Sequence, residues 1–295
     1  MLERFYKNKE EILKKTQNNF LNSSSLIPKI GCELEFFLLE KNGQALENQE
    51  LLADLISQLK AELKKKFSLI YEVEKEQGVS QIEIKTSFTA DLFELCRQIS
   101  DAKNFVKNFA EEKNLQASFA AQPFENDCGS ALQFNISLHD EAGKNDETIF
   151  KNIAAKLLSS TNEMMIFLSP KIEDYARFSY ELNRDLFRRG KFTAPINLSF
   201  GADNRTCAIR IAKGETGKRL EYRVAASDAD LFLTTSAILL AIARNEKSQF
   251  EQIHGNAFDE QYCVKDLCKS LEEAEEIFVK GNFLYDSFNK MTLSA

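Results

Sequence analysis

Gly31-Cys32-Glu33-Leu34-Glu35-Phe36-Phe37-Leu38-Leu39 sets two carboxylates two residues apart inside an apolar run. Read as a strand, it puts side chains at i and i+2 on one face. Glu33 and Glu35 then point one way while Cys32, Leu34 and Phe36 point the other. Like charges side by side on so apolar a strand repel one another unless a cation lies between them. A hard divalent ion such as Mg²⁺, held by oxygen ligands, meets that need.

Other stretches repeat the pattern. In Ser80–Lys85, Gln81 and Glu83 alternate with Ile82 and Ile84. In Leu132–Leu138, Gln133, Asn135 and Ser137 oppose a wholly apolar face, and Arg219, Glu221 and Arg223 alternate with Leu220, Tyr222 and Val224. A sheet with one face in water also alternates. Solvated faces, however, are rich in Lys and Thr, whereas these strands supply Glu, Gln, Asn and Arg, the groups that coordinate metal and phosphate. The pattern predicts a concave active-site face.

Around these strands, periodicity predicts an amphipathic helix in the first twenty residues, serving as a docking helix or tail, and helices over 51–63, 90–113, 147–168, 228–246 and 265–293. Further strands are predicted near 67–74, 80–86, 116–121 and 131–138, with short strands between 193 and 224. The expected fold class is α+β, a largely antiparallel sheet with helices to one side. The expected division is an N-terminal helix and linker over 1–28 and one catalytic domain over 29–295.

Composition excludes several functions. The 295 residues, 43% hydrophobic with 24 Phe, suffice for a large core. With only His139 and His254 available, a His-rich zinc or iron site is ruled out, and any metal must take oxygen ligands. The six cysteines form no C-x-x-C pair and read as reduced structural thiols. Net charge of −7 without a basic stripe argues against nucleic acid. No apolar window is long enough to span a membrane and the start lacks a signal-peptide core, so a cytoplasmic protein is expected.

Taken in order, the motifs resemble the catalytic domain of the glutamine synthetase family, within the wider carboxylate-amine ligases. The resemblance runs from Gly31 to the C-terminus. It rests on the strand Gly31–Leu38; on Glu76, Gln81 and Glu83; on Gly129, Ser130, Gln133, Ser137 and Leu138 after Pro123; and on Pro170, Tyr175 and Arg177. It continues through Ala194-Pro195, Asp203–Ile211, the triplet Arg219, Glu221 and Arg223, and the segment Leu267–Ala274.

The resemblance implies a curved, largely antiparallel sheet with helices on its outer side. It implies an ATP- and Mg²⁺- (or Mn²⁺-) dependent ligase that phosphorylates the γ-carboxylate of glutamate, or of a related acid, and lets an amine displace phosphate. Glu35, Glu76 and Glu83 would hold one ion, and Glu33, Glu221 and Gln133 the other, leaving a net charge near −1 before ATP arrives. Ser137, Arg205, Arg210 and Arg219 would bind ATP. Gly129, Arg177 and Arg223 would orient glutamate, and Arg205 and Arg223 would act on the transferring phosphoryl group. The implied partners are small amino acids and amines, and any homo-oligomer would not be the family's usual double ring.

Three departures from the family pattern stand out. Gln133 replaces a metal-binding His, Thr193 replaces the Glu before the Ala-Pro turn, and only thirty residues precede Gly31, too few for the family's small β-domain. Two alternatives stay open: a glutamate-cysteine-ligase-like enzyme, and a non-catalytic relative that binds a nucleotide or metabolite.

Overall fold

The computed structural model describes residues 2–144, 149–192, 194–214, 217–245, 249–263 and 265–293. Thr193, Glu215, Thr216, and the ends of two expected helices at 147–148 and 246 lie outside them. The long strand β1 (Ile27–Glu40) is the spine of an eight-stranded sheet. Its first half pairs with β5 (Leu132–His139), its middle with β3 (Gln81–Thr86) and its end with β4 (Leu115–Ser118). Beyond β3 lies β2 (Ile70–Lys75). Beyond β5 lie β8 (Gly217–Tyr222), β7 (Ile209–Gly214) and β6 (Phe200–Ala202). Every pairing is antiparallel except that of β6 with β7.

One face of this sheet is the core. Leu34 and Phe36 of β1, Ile82 and Ile84 of β3, Phe134 and Ile136 of β5, and Leu220 and Tyr222 of β8 belong to a single apolar cluster. Completely burying one such side chain stabilises the fold by about 1.5–3 kcal/mol, so register is strongly specified: a one-residue slip would expose the whole apolar row. The helices α3 (Gln49–Lys66), α4 (Leu92–Glu112), α5 (Phe150–Leu168) and α7 (Leu231–Ala243) bring their own apolar residues to that cluster. Their starts follow capping chemistry. Asn48, Asp91 and Asp230 accept hydrogen bonds from the backbone N–H of Leu51, Glu94 and Leu233.

The N-terminal residues form two helices, α1 (Leu2–Lys7) and α2 (Lys9–Ser23), and they enter this core. The Phe5 ring lies 5.4–6.4 Å from those of Phe167, Phe278 and Phe288. The helix expected over 265–293 is also two, α8 (Leu271–Gly281) and α9 (Phe283–Leu293), broken where Asn282 takes φ +61°. Between α5 and β6 comes an element the periodicity did not signal, α6 (Tyr180–Arg188). It is a short, heavily charged helix, anchored by Asn183, whose side chain donates to the carbonyls of Arg177 and Ser179. All six cysteines are free thiols.

Candidate active site

The second face of the sheet collects the polar residues in rows. Glu35 lies directly across from Glu83, which in turn lies across from Glu74 on β2. One step along, Glu33 sits between Lys85 and Gln133. One further, Glu221 sits between Asn135 and Arg210. Each row follows from alternation: once the apolar partners are committed to the core, these side chains have no other direction.

The rows form the floor of a cleft of about 310 Å³. Five carboxylates line it, Glu33, Glu74, Glu76, Glu83 and Glu221, facing five cations, Lys85, Arg205, Arg210, Arg219 and Arg223. An adjoining cavity of about 10 Å³ is bounded by Glu35, Glu76, Gln81, Gly129, Gln133 and Arg177. Its volume is room for roughly one water-sized sphere. Glu76, Gln133 and Arg223 border both spaces. Gly129 belongs there on steric grounds: a Cβ would stand 2.7 Å from the Ala121 carbonyl oxygen and 2.8 Å from Arg177 Cγ.

Hydrogen bonds partition the carboxylates. Among the described residues Glu35 accepts from neutral donors, the Gln81 amide at 3.1 Å, the Ala131 N–H at 2.8 Å and the Gln133 amide at 2.7 Å. Glu83 meets the Lys85 ammonium at 2.9 Å, and the same ammonium donates to Glu74 at 2.7 Å. Glu33 accepts from Asn135, whose own amide oxygen accepts from Arg219. Glu221 is held at both oxygens, by Arg210 at 2.9 Å and Arg223 at 2.7 Å. Arg223 also donates to the Gln133 amide oxygen at 3.1 Å.

The protonation balance follows. Burial, reinforced by the charge of Glu76, pushes the Glu35 carboxyl up to about 7. Burial and then the charges of Glu33 and Glu35 push Glu83 up to about 9. Glu33 is raised by burial and by Glu221. Burial pushes Glu221 up too, but the Arg223 and Arg210 guanidinium groups outweigh it and hold that carboxyl below its ordinary value. Lys85 is held above its usual range because Glu74, Glu83 and Glu33 outweigh its own desolvation. Carboxylates raised in this way mark a site that gains from an added cation.

Two expected site residues stand differently from the rest. Ser137 continues the Gln133 and Asn135 face, but its hydroxyl donates to the Lys29 carbonyl and it lines neither cavity. Arg177 is buried, with both terminal nitrogens donating to the backbone carbonyls of Val224 and Arg223, so it braces the β8 end of the site. Reasoning from sequence missed Glu74 and Lys85. The signal for Lys85 was present, since it lies two residues beyond Glu83 on the same strand face.

Among the described residues, no three His, Cys, Asp or Glu side chains form a ready-made metal cluster. In the small cavity a divalent ion has the Glu35 and Glu76 carboxylates and the Gln81 and Gln133 amides available, beside Cys128, Arg177 and Arg223, and at Glu35 it would displace neutral donors. Around Glu33, Gln133 and Glu221 a second ion does not fit as the side chains stand, because guanidinium and amide groups already take the oxygens.

Comparison with known proteins agrees with this layout. Residues 10–295 match the family described as glutamine synthetase, catalytic domain. The gamma-glutamylputrescine synthetase PuuA of Escherichia coli K12 is 26% identical over 276 residues, 82% of this chain and 56% of that protein. The glutamine synthetase of Sulfolobus acidocaldarius is 29% identical over 247 residues, 74% of this chain and 49% of that one. A glutamate–isopropylamine ligase of a Pseudomonas species is 26% identical over 257 residues, 81% and 54% of the two chains. The chain thus spans about half the length of these curated relatives. Among solved structures, GmaS in complex with ADP superposes with a TM-score of 0.80 at 19% identity, covering 97% of this chain and 71% of that one. Among the described residues no helix is long and apolar enough to cross a membrane.

Proposed function

The chain belongs to the glutamine synthetase catalytic-domain family, and from that membership we propose that it is an ATP- and Mg²⁺-dependent ligase joining the γ-carboxylate of glutamate, or of a related acid, to an amine. The observation that carries this reading is the cleft itself, where buried carboxylates stand opposite a bank of arginines on one sheet face. Transfer of a phosphoryl group asks little covalent chemistry of a protein. It asks for fixed positive charge where negative charge spreads over phosphate oxygens.

In this reading Arg205, Arg210 and Arg219 receive the ATP phosphates along the open cleft. Arg223 borders both spaces, which supports a role in following the phosphoryl group from nucleotide to acyl carboxylate. A glutamate oxygen attacks the γ-phosphorus, the bond to the bridging oxygen breaks, and ADP leaves. The amine nitrogen then attacks the acyl carbon of the γ-glutamyl phosphate, loses a proton, and inorganic phosphate departs. Glu35 and Glu76 would hold the divalent ion, which would neutralise phosphate oxygens during the first transfer. Arg177 and Gly129 keep the wall beside Glu35 in shape.

The acceptor belongs among small amines, and the names of the relatives supply a panel for it: ammonia, putrescine and isopropylamine, with ethanolamine and cysteine added. ADP and phosphate formation by purified protein with glutamate, Mg²⁺ or Mn²⁺, and each amine tests the reading. Turnover dependent on one amine supports it, and cysteine as that amine selects the glutamate-cysteine-ligase-like version. No phosphate release across the panel overturns it. The closure of Glu221 and Gln133 by Arg223 favours a second reading, a nucleotide-binding relative without turnover. Calorimetry giving tight Mg²⁺–ATP binding in a protein that releases no ADP selects that reading.

A further inference from the structure

Phe192 is the one side chain, among the described residues, that borders three spaces at once. It lines the carboxylate cleft, the small cavity beside Glu35, and an outer pocket of about 440 Å³. Arg205 also lines both the cleft and the outer pocket, so these two adjoin through a guanidinium and a phenyl ring. Phe187 lines the outer pocket as well, and its ring meets that of Phe192 edge to face with centroids 5.8 Å apart. Ala202 and Ile253 add to the apolar part of that lining.

The backbone that carries the Phe192 ring is gripped from both sides. The Phe192 N–H donates to the Gln77 amide oxygen at 2.8 Å, and the Gln77 amide nitrogen donates to the Phe192 carbonyl at 3.3 Å. Next to it the Lys191 ammonium meets Asp127 at 2.9 Å, and the other Asp127 oxygen accepts from the Val79 N–H at 2.7 Å. Gln77 and Val79 belong to the turn between β2 and β3 that also carries Glu76. On the opposite side, the Lys191 N–H donates to the Leu186 carbonyl of α6, and the Ala194 N–H donates to the side chain of Asn183 in the same helix. The ring is thus held in place between α6 and the Glu76 turn, and it stays 39% exposed. A fixed, open phenyl face is a surface against which a hydrocarbon chain can lie. The outer pocket is far larger than the smallest acceptor needs, since about 10–15 Å³ of such space holds a molecule the size of water or ammonia.

We propose that Phe192 selects the acceptor, a primary alkylamine whose carbon chain lies in the outer pocket against Phe187 and Phe192 while its nitrogen passes the ring edge toward the acyl carbon. The proposal rests on the ligase reading and adds to it the class of the amine and the residue that reads it. Methylamine and n-butylamine test it, because they present the same nucleophilic group and differ in the chain. Amine-dependent ADP formation by the full chain with ATP, Mg²⁺ and glutamate gives kcat/KM for each. In the natural protein n-butylamine is expected to exceed methylamine by about tenfold or more, as the burial of added methylenes allows. Phe192→Ala removes the ring and is expected to bring the two amines near parity. A smaller ratio in the natural protein overturns the inference and leaves the ligase reading standing. So does a ratio left unchanged by Phe192→Ala that is folded by circular dichroism and active, and so does turnover with ammonia or cysteine but with neither alkylamine. No ADP formation with any amine overturns the inference and the ligase reading together. If Phe192→Ala does not fold or turn over, Phe192→Leu takes its place, and failing both, the ratio in the natural protein decides alone.

Discussion

The ion-free protein should lose stability as pH rises through the neutral range, and Glu35 sets the size of the effect. Its burial, with the charge of Glu76, moves its carboxyl from 4.5 to about 7. Between those values the folded chain holds a proton that the unfolded chain has released, so each step up in pH favours unfolding. The stability is complete below about 4.5, falls across the interval and levels off above about 7. At about 1.4 kcal/mol per tenfold change in proton affinity, the loss is about 3 kcal/mol. Glu35 is buried at 6% exposure, so solvent screening trims this little. Glu83, pushed to about 9, carries the decline beyond neutrality. Glu221 has the opposite sign: lowered when folded, it stabilises above its unfolded value, and that contribution is lost only in acid. Urea unfolding followed by circular dichroism, with chelator, from about pH 5 to about pH 8, reads the slope directly. Glu35→Gln should flatten it by about 3 kcal/mol over that range. Added Mg²⁺ should restore stability near the alkaline end, because a ligand of the folded state alone shifts the equilibrium toward it. Identical slopes in the two proteins, or stability that rises with pH, would refute the burial argument.

Phe5→Ala removes a fully buried ring from the Phe167, Phe278 and Phe288 cluster, and should cost about 3–5 kcal/mol in urea unfolding; a change below about 1 kcal/mol would mean the N-terminal helices contribute little to the core. Gly129→Ala forces a methyl to within 2.8 Å of Arg177 Cγ. It should lower the melting temperature by the equivalent of about 1–3 kcal/mol and reduce ADP formation together, whereas unchanged values of both would remove Gly129 from the site.

The charge balance of the cleft bears on how the site works. A cleft whose five acids are matched by four arginines and Lys85 has no strong net attraction for anions in general. In the proposed ligase an incoming nucleotide would exchange existing ion pairs for its own contacts, with Arg210 and Arg223 giving up Glu221 in the process. Such exchange leaves the arginines aligned before binding.

Much of this site is legible in linear order because strand alternation is a local rule. Glu33 with Glu35, Gln81 with Glu83, and Arg219 with Glu221 share faces whatever the fold does with them. The apolar alternates dictate which face turns to solvent, since burying them is the dominant gain. The same logic placed most helices, while breaks at Asn8 and Asn282 and the helix Tyr180–Arg188 escaped it, because their cause is a local backbone turn or a tertiary anchor such as Asn183. The amino-acid order alone therefore determined the strand faces. Tertiary structure alone decided which charge meets which: that Glu221 is closed by Arg210 and Arg223, that Arg177 braces backbone, and that Lys85 reaches Glu74 as well as Glu83. The physical reason is range. Alternation acts over two residues of one strand, whereas ion pairing depends on which strands become neighbours and in what register, and that is set by the packing of the opposite, apolar face.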